Sequence, residues 1–286
     1  MLSKLLNKHY IVLKKGHNIH IIIGLLTNKI LLLRLAIYKW LHGIHKPIVH
    51  YYAVCWNEEM MLPFMFQHYD RFVDRYTIYD NYSDDRSEEI IRSHKNASII
   101  KFKTDGFDDT AHNNIKNNCW KRSRGKADWV IVCDMDEFLY HDDMANALQD
   151  LAFKGYTVVK PVGYNMYSDS VPTPGMPLTQ QVRQGLRDKW FDKCICFDPH
   201  AVVEINYRPG AHECYPVGRI KRNTDEFKLL HYKNISLEFI LSRKRLYAAR
   251  LSETNQAHGY GTQYCEEENK VIEEFNSALQ QVQEVI

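Results

Sequence analysis

The first 57 residues contain no aspartate or glutamate but carry eight Lys or Arg, so 29 of the 37 bases and all 35 acids lie beyond them. A net charge of +2 therefore hides one basic end and an acidic remainder. The seven cysteines include no Cys-x-x-Cys pair, and Cys55, Cys133, Cys194 and Cys196 fall in strand-like stretches. That excludes a zinc ribbon or a disulfide framework and fits buried free thiols in a reducing cytoplasm. Both glycine loops that cradle phosphates are missing, Gly-x-Gly-x-x-Gly and Gly-x-x-x-x-Gly-Lys-Ser/Thr, which excludes a Rossmann dehydrogenase and a P-loop nucleotide triphosphatase. No uninterrupted apolar span of the roughly 20 residues needed to cross a bilayer is present, because Lys29 and Arg34 interrupt the run from Ile19 to Leu41. Nor is there an internal repeat or a low-complexity tract.

What the basic end does have is helical periodicity. His20, Gly24, Thr27, Asn28, Arg34, Lys39 and His42 share one stripe, with Leu31 the exception, opposite a broad apolar face. A cationic amphipathic helix without acids suits an anionic cytoplasmic leaflet. Peripheral membrane contact through residues 1–45 is the expectation; packing on the protein's own core and a true span are the alternatives. No small-residue cleavage site follows, which argues against a signal peptide. The division expected is residues 1–46 as a basic amphipathic segment, 47–235 as an α/β domain and 236–286 as C-terminal helices.

From Pro47 onward strands and helices alternate. Strands are expected at Ile48 to Val54, Tyr76 to Tyr79, Ser98 to Lys103, Trp129 to Cys133, Thr157 to Val162 and Phe227 to Tyr232. Asn57 is read as the cap of a helix opening with Glu58 and Glu59, and polar helices as spanning Arg86 to His94 and Thr110 to Arg124. Phe191 to Phe197 and Ala201 to Ile205 suggest a hairpin about Asp198-Pro199-His200, while Asp169 to Gln184, rich in proline, reads as a lid or substrate-binding loop. The pattern predicts an α/β fold with a mainly parallel sheet flanked by helices.

Trp129-Val130-Ile131-Val132-Cys133 ends abruptly in Asp134-Met135-Asp136-Glu137-Phe138. Ligands of open α/β sheets bind where strands end, and a turned Asp-x-Asp offers hard oxygens to a divalent cation that keeps substrate phosphate among its ligands. A solvated strand end is the plain alternative. Asp80 ends an earlier strand at the same expected edge. Without a glycine cradle, diphosphate charge needs another neutraliser, and a metal on Asp136 supplies one.

Tyr52-Ala53-Val54-Cys55-Trp56-Asn57-Glu58-Glu59, Tyr79-Asp80-Asn81-Tyr82-Ser83-Asp84-Asp85 and Asp134-Met135-Asp136-Glu137-Phe138, in that order, resemble the GT-A glycosyltransferases, more narrowly a family-2-like bacterial group. Lys193-Cys194-Ile195, Gly210-Ala211-His212 and Leu230-His231-Tyr232 extend the resemblance over about residues 48–250. It implies a GT-A fold and a metal-dependent, inverting transfer of a sugar from a nucleotide-diphosphate donor to a glycan or glycolipid acceptor of the bacterial surface, lipopolysaccharide or capsule, at the cytoplasmic face of the membrane. It also implies that Trp56 flanks the base, Asp80 reads base or ribose, Asp134 lies near the ribose, and Asp136 and His231 bind Mn²⁺ or Mg²⁺. Imidazole favours manganese. A carboxylate must also take the acceptor's proton, and Glu213 is the first candidate, Asp192 the second. A metal-dependent nucleotidyltransferase or phosphohydrolase and a membrane scaffold remain alternatives; the acidic sheet edge argues against a nucleic-acid partner.

Overall fold

The computed structural model describes residues 18–223 and 227–286; Lys4, Lys8, Lys14 and Lys15 lie outside the described residues. The strands that organise the fold are β1 Val49–Cys55, β2 Arg75–Asp80, β3 Ala97–Lys101, β4 Trp129–Val132, β5 Glu137–Tyr140, β6 Val158–Val159, β7 Val162–Tyr167, β8 Gln184–Arg187, β9 Cys196–Phe197, β10 Val202–Glu204, β11 Val217–Gly218, β12 Lys228–Asn234 and β13 Gln283–Glu284. The central sheet runs β3-β2-β1-β4-β9-β6. Its first four strands are parallel, and β9 is antiparallel to both β4 and β6. This is the α/β, largely parallel architecture expected of the chain.

Strand β1 is central because all seven of its residues are buried, as a strand covered by helices on both faces requires. Helices Met61–Tyr69, Ser87–Ser93 and Asp109–Asn118 make the crossovers. Tyr51, Met65, Tyr69, Tyr76 and Ile131 pack in the main apolar core. The parallel register pairs Cys55 with Asp80 and Tyr52 with Val132, so β1, β2 and β4 all leave the sheet at one edge.

A second sheet, ordered β13-β8-β7-β12-β5, begins where the acidic turn ends. Strand β12 lies antiparallel to β5 and parallel to β7, which sets His231 opposite Glu137 on one side and Asn165 on the other. Pro161 separates the two sheets: a proline cannot donate to a ladder, so the single strand expected over Thr157 to Val162 becomes β6 in one sheet and β7 in the other.

Three other expectations are corrected. The hairpin about Asp198-Pro199-His200 does not form. The chain does reverse there, with the Asp198 carboxylate accepting from the His200 amide at 2.7 Å. Its arms then separate, Cys196 and Phe197 pairing with Ile131 and Val130, and Val202 with Gly218. Asn57 does not cap a helix, because it adopts a left-handed φ of 53° and pairs its amide with Asp84 at 2.6 Å; the helix starts at Met61. The loop from Asp169 folds on itself through the Gln181 side chain, which bonds Thr173 N and O and Met176 O, rather than covering the cavity described below.

Helix Asn18–Leu41 lies along the domain. Asn28 donates to His200 O at 3.1 Å, Lys39 pairs with Asp128 at 2.8 Å, and Leu35 packs with Ile48 and Ala127. Gly24, Asn28 and Lys39 of the polar stripe thus meet the protein together with the buried Ile21 and Leu35, whereas His20, Thr27, Arg34 and His42 of that stripe are exposed, and so are most of the apolar residues, with Ile30 at 71% and Trp40 at 80% exposure. At the other end, helices Leu237–Ala249, Glu253–His258 and Glu268–Leu279 follow, and β13 joins the second sheet.

Candidate active site

A cavity of about 360 Å³ opens at the edge where β1 and β4 end, a size suited to a small ligand. Its floor is the Asp134–Glu137 turn. Glu137 N donates to Asp134 O, Asp134 N to the Glu137 carboxylate, both at 3.2 Å, and Tyr232 N to Asp136 O at 2.8 Å, so the turn is closed on itself and tied to the second sheet. The backbone reverses between β4 and β5, which is what lets two acids spaced to alternate along a strand face one cavity.

Each acid has its own electrostatic setting. Burial opposes ionisation of Asp134, but Lys116 at 2.6 Å and Lys193 at 3.9 Å override it and hold the carboxyl below its usual range. Burial likewise opposes the charge of Asp136, and the His231 imidazole, 3.6 Å away, outweighs it with help from Arg243 and Lys193. Glu137 is buried and bonded to the ammonium of Lys193, itself only 2% exposed, which also donates to Gly210 O at 3.1 Å. Glu137, the first residue of β5, is thus fixed behind the acidic turn by Lys193.

His231 has one ring nitrogen assigned by its neighbours. Asn165 donates its amide NH₂ to the Asp188 carboxylate at 2.9 Å, which turns the Asn165 oxygen toward His231 Nδ1 at 2.8 Å. An oxygen there requires Nδ1–H, so it is Nε2 that faces Asp136, donating to the carboxylate in the imidazolium form and offering its lone pair to a cation in the neutral form. A hard carboxylate oxygen and an oriented imidazole fit two ligands of Mn²⁺ or Mg²⁺. Among the described residues no group of three or more His, Cys, Asp or Glu side chains is placed to hold a metal.

The opposite wall is aromatic and polar. Trp56 lines it, with the Arg250 guanidinium 4.0 Å from its ring centroid and Tyr247 edge-on at 5.7 Å. From helix Asp109–Asn118 come Asp109, His112, Asn113 and Lys116, one face at spacings of three and four. Over the top, Arg243 grips Glu58 with two bonds of 2.6 and 2.8 Å, joining a C-terminal helix to the loop after β1. Burial raises the Glu58 carboxyl against the opposing pull of Arg243. Residues 236–286 thus contribute the cavity's roof.

Trp56, Asp134, Asp136 and His231 are brought together; three other expected residues are not. Asp80 is fully buried beneath the loop, its carboxylate taken by Lys101 at 2.5 Å, Ser83 Oγ at 2.5 Å and Ser83 N at 3.2 Å, with no face on the cavity. Asp192 braces β7, accepting from Gly163 N at 2.9 Å and Arg187 at 2.7 Å. Glu213 is exposed, and among the described residues its carboxylate accepts only from Tyr215 OH, at 3.3 Å. Neither candidate base lines the cavity. Functional residues not singled out from the sequence include Lys116, whose helical spacing with Asp109 was visible, and Arg243 and Asn165, which carried no local signal.

A family model described as glycosyltransferase family 92 matches residues 50–281. No curated protein matches the sequence. Among solved structures the chain is similar to S. aureus TarS residues 1–349 at 10% identity and TM-score 0.38, covering 74% of this chain and 68% of that one. It is similar to the longer S. aureus TarS structure at 12% identity and TM-score 0.40, covering 80% of this chain but 42% of that one. For TarS 1–349 in complex with UDP-GlcNAc the values are 12%, 0.37, 74% and 69%. Likeness of this extent carries no argument about substrate.

Proposed function

The chain belongs to glycosyltransferase family 92, and from that premise we propose that its cavity performs metal-assisted, inverting transfer of a sugar from a nucleotide-diphosphate donor to a glycan or glycolipid of the bacterial surface. The observation that carries the metal and diphosphate part is the Asp136–His231 pair at the sheet edge, with the imidazole lone pair oriented by Asn165 and Asp188. Those two side chains would hold Mn²⁺ or Mg²⁺, which when bound neutralises charge on the departing diphosphate. Lys193 and Lys116 pair with Glu137 and Asp134, and Trp56 offers a flat face for the donor's base. Asp134, which lines the same cavity, is assigned to the donor's ribose side. The matched family replaces the narrower family-2-like grouping as the frame for this reading.

Membrane attachment belongs to the same proposal. The outward apolar face of helix Asn18–Leu41 and the acid-free basic residues around it suit the inner face of the cytoplasmic membrane, where a glycolipid acceptor is presented. The helix is also long and apolar enough to cross a membrane by length and composition, with Lys29 and Arg34 inside it. Its contacts with the domain through Asn28, Leu35 and Lys39 favour lying along the surface.

Calorimetry of the full chain with a panel of nucleoside diphosphates, with and without Mn²⁺, tests the donor site. Binding that needs Mn²⁺ and weakens by about 100-fold in Asp136→Asn is expected, since a ligand is lost. Binding unaffected by either change would remove the metal from the site.

A further inference from the structure

The role of base, left without an occupant by Glu213 and Asp192, is better filled by a histidine. His212 lines the cavity, and its Nδ1–H donates to Trp190 O at 3.0 Å, so Nε2 keeps its lone pair. Its ring is stacked on Trp190 at 4.7 Å and meets Phe191 edge-on at 5.2 Å; that same Phe191 is stacked on His231 at 4.1 Å. One aromatic ring therefore separates His212 from the side chain read above as a metal ligand. Trp190, 58% exposed, extends the surface outward as a flat platform of the kind sugar rings stack on.

The backbone that delivers His212 is unusual. Gly210 has φ +77°, and a Cβ there would stand 2.8 Å from His212 Cδ2; Ala211 follows at φ +55°, a left-handed conformation costly for a residue with a side chain. The Gly210 carbonyl is held by Lys193, the same lysine that fixes Glu137. Meanwhile the nearby acids are committed: Asp134 to Lys116, Glu137 to Lys193, Asp136 to His231. Burial pushes the His212 imidazole down to about 3, which keeps it neutral while lowering its basicity.

We propose that His212 is the general base of the transfer, with Trp190 forming the acceptor-sugar platform beside it. The inference rests on the glycosyltransferase reading. The acceptor oxygen bonds to the anomeric carbon as the bond from that carbon to the diphosphate oxygen breaks; the electron pair leaves on the diphosphate, and the hydroxyl proton passes to His212 Nε2 and then to solvent.

Wild type, His212→Gln, Asp109→Asn and Asp136→Asn, all in the full chain, are compared with a panel of nucleotide-diphosphate sugars, Mn²⁺ and a glycan extract as acceptor. Asp109 is included because it also lines the cavity, from the Phe107 side, held by Asn255 at 3.1 Å. In His212→Gln, calorimetric binding of nucleoside diphosphate with Mn²⁺ stays within about twofold while turnover falls by about 10²- to 10⁴-fold. Azide, a nucleophile with no proton to lose, restores donor consumption in that variant and yields the inverted glycosyl azide. Turnover within about threefold of wild type, a loss that azide does not relieve, or the azide-rescued pattern in Asp109→Asn instead overturns the assignment. A wild type that consumes no nucleotide sugar even with azide strikes the glycosyltransferase reading itself, and the base assignment with it.

Discussion

His231 is useful at this site only because two residues behind it decide which nitrogen carries the proton. Asp188 accepts from Asn165, and Asn165 then accepts from His231. Replacing Asn165 with Leu removes the acceptor and frees the ring, so Mn²⁺ affinity measured by calorimetry should fall by about 10- to 100-fold with the fold retained by circular dichroism. Unchanged affinity would mean that Nε2 orientation does not matter for the ion. Asp134 and Asp136 were legible in the sequence because acids that follow an apolar strand fall at a sheet edge, whereas His231, the fourth residue of β12, was picked out only through the family resemblance. Asp80 shared that signature yet went to Lys101 and Ser83, since a sequence does not show which partner a carboxylate finds once buried. The position of His212 was hidden for a different reason. It depends on two consecutive left-handed residues, only one of them glycine.

Among the elements, helix Asn18–Leu41 has the most unusual placement. Ile19, Ile23, Leu26, Ile30, Leu33 and Ile37 recur at spacings of three and four on the exposed side, while Asn28, Leu35 and Lys39 meet the domain. Substituting Ile30→Glu and Leu33→Glu leaves the docked face untouched and places charge on the outward one. The double variant should lose at least about 10-fold in binding to vesicles containing anionic lipid, read by sedimentation, while nucleotide binding persists. Retained vesicle binding would contradict attachment through this face. The helix and the parallel strands were readable because their periodicities are long or their apolar runs are fully buried. The hairpin was not: Phe191 to Phe197 is apolar enough to be a strand, but its partner, β4, lies more than sixty residues earlier, and nothing local distinguishes a near partner from a distant one.

For the molecule as a whole, histidines set a pH window. Burial pushes His50, His68 and His112 down to about 4. Unfolding returns them to the ordinary value near 6.5, so the folded state binds fewer protons between those limits. Their contribution is complete above about pH 6.5 and is lost as the pH falls toward 4. His68 is the clearest case, stacked on Phe138 at 4.7 Å with Nε2 at 2.9 Å from Leu139 O. The urea midpoint should decline from pH 7 to pH 5, and the decline should be shallower in His68→Phe; equal slopes would show that this ring does not titrate on unfolding. Asp134 and Asp136, held below their usual range, act in a lower window, losing their contribution only as the pH falls through the carboxylate range.

The two sheets, the acidic turn and the C-terminal roof converge on one cavity, and the central claim is that sugar leaves a nucleoside diphosphate there. Incubating the protein with nucleotide-diphosphate sugars, Mn²⁺ and a glycan extract, and identifying the products by mass, tests it most directly. Nucleoside diphosphate released together with a glycan heavier by one sugar, both lost in Asp136→Asn, is the predicted result. Release of pyrophosphate or of nucleoside monophosphate would contradict it and point to nucleotidyl transfer or phosphate hydrolysis instead.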